Sequence, residues 1–196
     1  MDFFLFFLDI INSYIQNYYY LSLSIFFLFL LIFFSFSLPG GAILLVASGF
    51  FFGFLVGFII NIVSLVLGSL IFFIVSKFLF KNLLKSYYEI YSLRLTNIIK
   101  KSSYEYLILL RLIVGLPLFI QNLCLSILNI SKVKFVITSF IGFTPLMVLF
   151  SYLGNQLSDL IQVKKFNLIE VFTFELLIIF LILISVILLR IFYKNK

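Results

Sequence analysis

The chain has 196 residues, of which 64% are hydrophobic, 20% aromatic and only 11% charged. A soluble domain carries about 25% charged residues, so this chain has too few to cover a water-facing surface, and we predict an all-α integral membrane protein. The absence of histidine and the single cysteine, Cys124, argue against histidine-based metal sites, catalytic pairs that use histidine and an intrachain disulfide. We therefore expect no metal and no other cofactor.

The first long apolar run, 18–38, predicts an N-terminal transmembrane helix. It is long enough to cross the ~30 Å hydrocarbon core of a bilayer. Asp2 and Asp9 precede it where a signal peptide carries basic residues, and no small-residue cleavage site follows it. We therefore expect this run to stay in the protein as an anchor.

The next segment, 39–77, is apolar but interrupted by glycines. Two full spans need about 20 residues each, which leaves nothing for a connection, so a re-entrant hairpin over 39–57 and a helix over 58–76 fit the length better. Gly49, Gly53 and Gly57 follow one another at four-residue spacing, and Gly68 lies on the next helix. Such spacing favours close packing of helices over contact with a ligand.

Residues 81–101 form the only sizeable polar stretch of the sequence. Apolar residues recur in it at helical spacing, with basic and polar residues between them. We interpret it as an amphipathic helix on the cytoplasmic leaflet, with its basic face toward anionic head groups. A plain connector between membrane helices is an equally good interpretation.

The segment 106–130 is apolar but contains Arg111, Pro117, Gln121 and Asn122. A charged side chain and a proline in mid-segment are costly in a lipid-facing helix, so we predict a second re-entrant hairpin that is covered by protein. Ordinary transmembrane helices are predicted after it over 135–153 and 171–191.

The basic residues indicate the topology. If both broken segments are re-entrant, four helices cross the membrane, and 11 of the 14 basic residues lie on the side of the two termini. Only Lys164 and Lys165 then face the other side. The positive-inside rule therefore predicts four transmembrane helices, two hairpins that enter from opposite faces in an inverted-repeat-like arrangement, and cytoplasmic termini. This distribution also explains the net charge of +7 better than nucleic-acid binding does.

Spaced residues over 39–157 carry a resemblance to a known family. They include Pro39-Gly40-Gly41 with the glycines after it, and Arg111-Leu112, Pro117 and Asn122 in the second hairpin. The helix after that hairpin continues the pattern at Phe135, Gly142, Pro145 and Gly154. Together they resemble the DedA or VTT-domain (SNARE-associated Golgi protein) superfamily, most closely its Tvp-like branch. The chain departs from the family pattern at Lys77, Val114, Phe119 and Ser126, and it lacks the acidic residues that DedA proteins carry in the first hairpin.

The resemblance implies a multi-pass protein of the cell membrane, here the bacterial inner membrane, that handles lipids. Bacterial DedA relatives are linked to undecaprenyl-phosphate flipping, and eukaryotic VTT relatives to phospholipid scrambling. The expected partners are therefore membrane lipids, either an anionic phospholipid or a polyprenyl phosphate, and not nucleic acid. Association into a homo-oligomer stays open.

The second hairpin independently favours lipid movement. A lipid that crosses the bilayer needs a polar slot for its head group, and Arg111 offers a permanent charge and a planar fork of donors suited to phosphate. We predict that Arg111, Pro117, Gln121 and Asn122 form this head-group site. As alternatives, Arg111 extends to the interface, Pro117 only breaks the helix, and Asn122 satisfies open backbone groups.

Three classes of function stay open at this point. A lipid flippase or scramblase is favoured. An ion-coupled transporter of small solutes is weaker because no acidic residue lies inside a confident span. A membrane scaffold or assembly factor without transport would tolerate substitution of Arg111. An enzyme is least favoured, since the chain has no histidine and no pair of buried carboxylates to act as a base.

Overall fold

The computed structural model describes residues 2–83, 104–113, 116–128 and 130–162. Within these ranges the chain is helical and has no strand, which confirms the predicted all-α fold. The helices there are α1 (Asp2–Asn17), α2 (Tyr19–Ser35), α3 (Gly41–Phe52), α4 (Phe54–Leu83), α5 (Tyr104–Leu112), α6 (Leu118–Ile127) and α7 (Lys132–Gln162). The predicted C-terminal helix over 171–191 lies outside the described residues, as does the predicted interfacial segment over 81–101 beyond the end of α4.

Two stretches in the described ranges are long and apolar enough to cross a membrane: Phe54–Leu79 of α4 and Lys132–Asp159 of α7. The stretch Ile10–Asn17 of α1 and helix α2 pass the same test only as a pair, and this pair is bent by 109° at the break between them. Helices α3 and α6 are apolar but only 12 and 10 residues long. At a rise of about 1.5 Å per residue, neither crosses ~30 Å of hydrocarbon. The number of crossings and their orientation stay predictions.

Helices α2 and α3 run antiparallel and are joined by a turn over 36–40. The rings of Tyr19, at the start of α2, and Phe52, at the end of α3, have centroids 6.1 Å apart. Phe34, near the end of α2, lies against Gly68 of α4. Gly68 is close to the middle of the long apolar stretch of α4. The turn that follows α2 therefore lies beside the middle of α4 and not beside its end. The helix predicted over 18–38 thus ends at Ser35.

A single residue, Gly53, separates α3 from α4. Its φ of +77° is a backbone conformation that glycine adopts without strain. Asn155 of α7 stabilises this break, because its Oδ1 accepts a hydrogen bond of 3.2 Å from the backbone N–H of Phe54. That N–H is one of those left open at the start of a helix. Helix α4 consequently begins four residues before the predicted helix over 58–76 and continues to Leu83.

Small residues bring α3, α4 and α7 into backbone contact. A Cβ on Gly49 would overlap the backbone of Ser151, and a Cβ on Gly154 would overlap the carbonyl oxygen of Val46. A Cβ on Gly57 would lie 2.8 Å from the Cα of Gly49. Each of these separations is shorter than real Cβ atoms show, so a larger residue would push the helices apart.

A buried asparagine joins the same three helices. The Nδ2 of Asn61, on α4, donates hydrogen bonds of 2.8 Å to the carbonyl oxygen of Leu45 and 2.9 Å to the hydroxyl of Ser151. Its side chain is fully buried. Such a bond from a polar side chain stabilises membrane helix packing by roughly 0.6–2 kcal/mol.

Helices α5 and α6 pack beside the first half of α7 and the second half of α4. Leu107 of α5 and Leu125 of α6 share a buried cluster with Phe73 of α4 and Phe135 of α7. Helix α7 extends beyond the predicted 135–153 at both ends and contains Pro145 in its interior. Helices α5 and α6 are therefore joined to α4 and α7 by one buried apolar cluster.

Candidate functional site

The α2–α3 turn and the α5–α6 break meet beside α7. The Nδ2 of Asn122, on α6, donates a 2.9 Å hydrogen bond to the hydroxyl of Ser37 in the turn, across 85 positions of sequence. Residues of both segments line a cavity of about 250 Å³, including Leu38, Gly40 and Leu116. The α2–α3 turn and the described residues on either side of the α5–α6 break, Ile113 and Leu116, thus share one cavity.

Arg111 lies at the last turn of α5 and lines this cavity. Its side chain is only 2% exposed. The Nη1 group donates a 2.8 Å hydrogen bond to the Oδ1 of Asn122 and a longer one, 3.4 Å, to the Oε1 of Gln121. Its Nε and Nη2 groups are buried without a hydrogen-bond partner. An unpaired buried donor costs about 1–3 kcal/mol, and more on a charged group, so Arg111 favours an added acceptor.

Two phenylalanine rings and a glycine of α7 hold the Arg111 side chain in place. The Cζ atom lies 4.9 Å from the ring centroid of Phe135 and 4.6 Å from that of Phe143. Both distances fall in the range of cation–π attraction. A Cβ on Gly142 would overlap the Cβ of Arg111. The absence of a side chain at Gly142 therefore makes room for the arginine.

No described acidic side chain neutralises the charge of Arg111. Its hydrogen-bond acceptors are the neutral amides of Asn122 and Gln121. Among the side chains that the structure describes, Asp159 is the one carboxylate, and it lies near the opposite end of α7 beside Asn155. The described part of the site therefore carries a net positive charge in a largely apolar cavity.

The predicted site residues divide into different structural roles. Gln121 lines the cavity, and its Nε2 donates a 2.9 Å hydrogen bond to the carbonyl oxygen of Leu116, which shapes the break. Asn122 is fully buried between Arg111 and Ser37, so it positions the arginine. Pro117 directly precedes α6, and its φ of −54° suits the start of a helix.

Sequence reasoning did not identify Ser37 or Phe143. Ser37 is the one non-glycine residue of the described ranges with a positive φ, +50°, and its oxygen completes the chain of bonds to Arg111. Its position just before Leu-Pro-Gly-Gly, at the end of an apolar helix, was a signal of a tight turn. Nothing in the sequence distinguishes Phe143 from the other 28 phenylalanines.

The family model for the VTT domain matches residues 38–156. The chain belongs to the VTT-domain family. The match begins one residue before the predicted core over 39–157 and ends one residue before its end. It contains Arg111, the α5–α6 break and every residue of the cavity lining except Phe34, whereas α1, α2 and Ser37 precede it. No curated protein and no solved structure matches the chain. Membership of the Tvp-like branch stays a prediction.

Proposed function

We propose that this VTT-domain protein moves an anionic phospholipid or a polyprenyl phosphate across the bacterial cell membrane, as a flippase or scramblase. Arg111 binds the phosphate in the cavity between the two breaks. The observation that carries this proposal is a buried arginine whose described neighbours are neutral and whose two nitrogens Nε and Nη2 have no hydrogen-bond partner. A phosphate oxygen accepts such donors and compensates the charge at the same time.

The orientation of the hydrogen bonds supports phosphate binding. Nε and Nη2 lie on one edge of the planar guanidinium group, with the spacing that suits two oxygens of one phosphate. Asn122 and Gln121 bind the opposite nitrogen, Nη1, so they orient the group and leave Nε and Nη2 without a hydrogen-bond partner. The arrangement therefore suits a two-oxygen contact better than a contact with a single ion.

The rest of the cavity suits the chain of a lipid. Its lining is mostly hydrocarbon, from residues such as Leu45, Leu65, Leu146 and Met147. A water-soluble phosphate compound would gain nothing from these groups, whereas the first carbons of an acyl or prenyl chain would pack against them. A phosphate directly attached to an apolar chain is thus the chemistry that matches the whole cavity.

Reconstitution with labelled lipids tests the proposal. Arg111→Ala should abolish lipid movement, and Arg111→Lys should recover it only partly, because an ammonium keeps the charge without the two-donor edge. Lys132→Ala, which removes an exposed basic residue at the start of α7, is the control and should transport like the wild type. Equal transport by wild type and Arg111→Ala at equal protein level would contradict the proposal and favour a scaffold without transport activity.

A further inference from the structure

Lys77 lies near the end of the apolar stretch Phe54–Leu79 of α4 and is half-buried. Its Nζ donates a 3.3 Å hydrogen bond to the carbonyl oxygen of Ile130, just before α7. The same atom lies 5.4 Å from the ring centroid of Phe73, one turn earlier on α4. The ammonium group is therefore held where the second half of α4 meets the start of α7.

Two stacked rings separate Lys77 from Arg111. The ring centroids of Phe73 and Phe135 are 4.5 Å apart, and their planes are inclined by 30°. Both side chains are buried. Lys77 lies against the ring of Phe73, and Arg111 lies 4.9 Å from the ring of Phe135. The ring pair thus has one cation near each of its members.

The two cations lie at different levels along α7. Lys77 bonds to Ile130, which precedes the helix. Arg111 contacts Phe135 and Phe143. At 1.5 Å per residue these lie about 4 and 16 Å from the start of α7. The guanidinium group is therefore deeper in the bundle than the ammonium group, by roughly 10 Å along this axis.

We propose that Lys77 is a second binding site for a lipid phosphate, nearer than Arg111 to the end of the span. The inference rests on the proposed function, because it assigns the same ligand to both cations. A phosphate loses much of its hydration before it reaches Arg111, and a cation near the end of the span lowers that cost. Lysine suits this outer position because its ammonium is a point charge on a flexible stem that follows a moving ligand.

Thermal unfolding of the full chain in vesicles tests binding without any transport. The three conditions are phosphatidylcholine alone, phosphatidylcholine with phosphatidic acid, and phosphatidylcholine with inorganic phosphate. Phosphatidic acid should raise the Tm of the wild type, and the rise should be smaller in Lys77→Gln, because only Arg111 is then left to bind the phosphate. Lys77→Arg should keep the full rise, as should the control Lys132→Gln, which removes an exposed lysine at the same end of α7.

Two outcomes of the unfolding experiment overturn the proposal. If Lys77 serves only to join α4 to Ile130, Lys77→Gln lowers the Tm equally with and without phosphatidic acid. If inorganic phosphate alone gives the Lys77-dependent rise, the site belongs to free phosphate and not to a lipid. If Lys77→Gln fails to fold, the rate at which an amine-acylating reagent modifies Lys77 in the wild type tests the proposal instead. Phosphatidic acid should slow acylation of Lys77 several-fold more than that of Lys132, and equal protection overturns the proposal.

Transport by the same variants separates this inference from the proposed function. Lys77→Gln should raise the half-saturating mole fraction of phosphatidic acid roughly tenfold and keep the maximal rate, because it weakens capture and leaves Arg111 intact. An unchanged half-saturating fraction overturns the outer site while the function of Arg111 stands. If the wild type moves no lipid, the proposed function fails, and the Tm rise still decides whether Lys77 binds a lipid phosphate.

Discussion

Asn122→Asp tests whether the uncompensated charge of Arg111 is what attracts the ligand. Asn122 Oδ1 lies 2.8 Å from Arg111 Nη1, so an aspartate of the same shape places a carboxylate oxygen in direct contact with the guanidinium group. The hydroxyl of Ser37 then donates to the carboxylate instead of accepting from the amide. The substitution changes the charge of the site from positive to neutral with almost no change in volume.

The expected effects on stability and on transport differ in size. Opposite charges about 4 Å apart attract by about 4 kcal/mol at an effective dielectric constant of 20. Burial of the new carboxylate costs several kcal/mol, so the two terms largely cancel in the free energy of unfolding. The new carboxylate also offsets the attraction of the guanidinium group for a phosphate by about 4 kcal/mol. The affinity of the site for the phosphate should therefore fall roughly 10³-fold. We therefore expect a Tm close to that of the wild type and nearly complete loss of lipid movement.

Flux of labelled phosphatidic acid in reconstituted vesicles, with Tm measured on the same preparations, checks this prediction. Gln156→Glu is the matched control, since it also replaces an amide by a carboxylate but lies near the far end of α7, where its Nε2 bonds to Tyr152. The control should keep wild-type flux. Wild-type flux in Asn122→Asp would refute the reasoning, because a neutral site would then move the anion equally well.

Two glycine substitutions test the packing around the site. Gly142→Ala places a Cβ against the Cβ of Arg111, so lipid flux should fall at least tenfold and the Tm should drop; wild-type flux would show that the position of Arg111 is not critical. Gly53→Ala has room for its Cβ but forces an L-residue to φ +77° and ψ 172°, a conformation that is essentially restricted to glycine. Unfolding in detergent should therefore show a loss of about 1–3 kcal/mol with the Asn155 contact kept. An unchanged unfolding free energy in Gly53→Ala would mean that the break relaxes without cost.

The sequence by itself determined the class of the fold and the place of its interruptions. Too few charges for a water-facing surface indicated helices in lipid, since a lipid-exposed segment must satisfy its own backbone hydrogen bonds. Glycines in the first half, and Arg111 with Pro117 in the second, marked segments that do not form plain membrane helices. Arg111 also stood out from the sequence alone, because a charge inside an apolar segment is costly to bury.

The tertiary structure decided what those segments contact. The run over 18–38 is apolar on all sides, so no alternation of polar and apolar residues marked its inner face or the reversal at Ser37. The site depends on contacts between residues far apart in sequence, such as Asn122 with Ser37 and Arg111 with Phe143. Likewise, only the packed bundle placed Arg111 on one member of a buried ring pair and Lys77 on the other, because stacking of Phe73 on Phe135 is a property of two helices together.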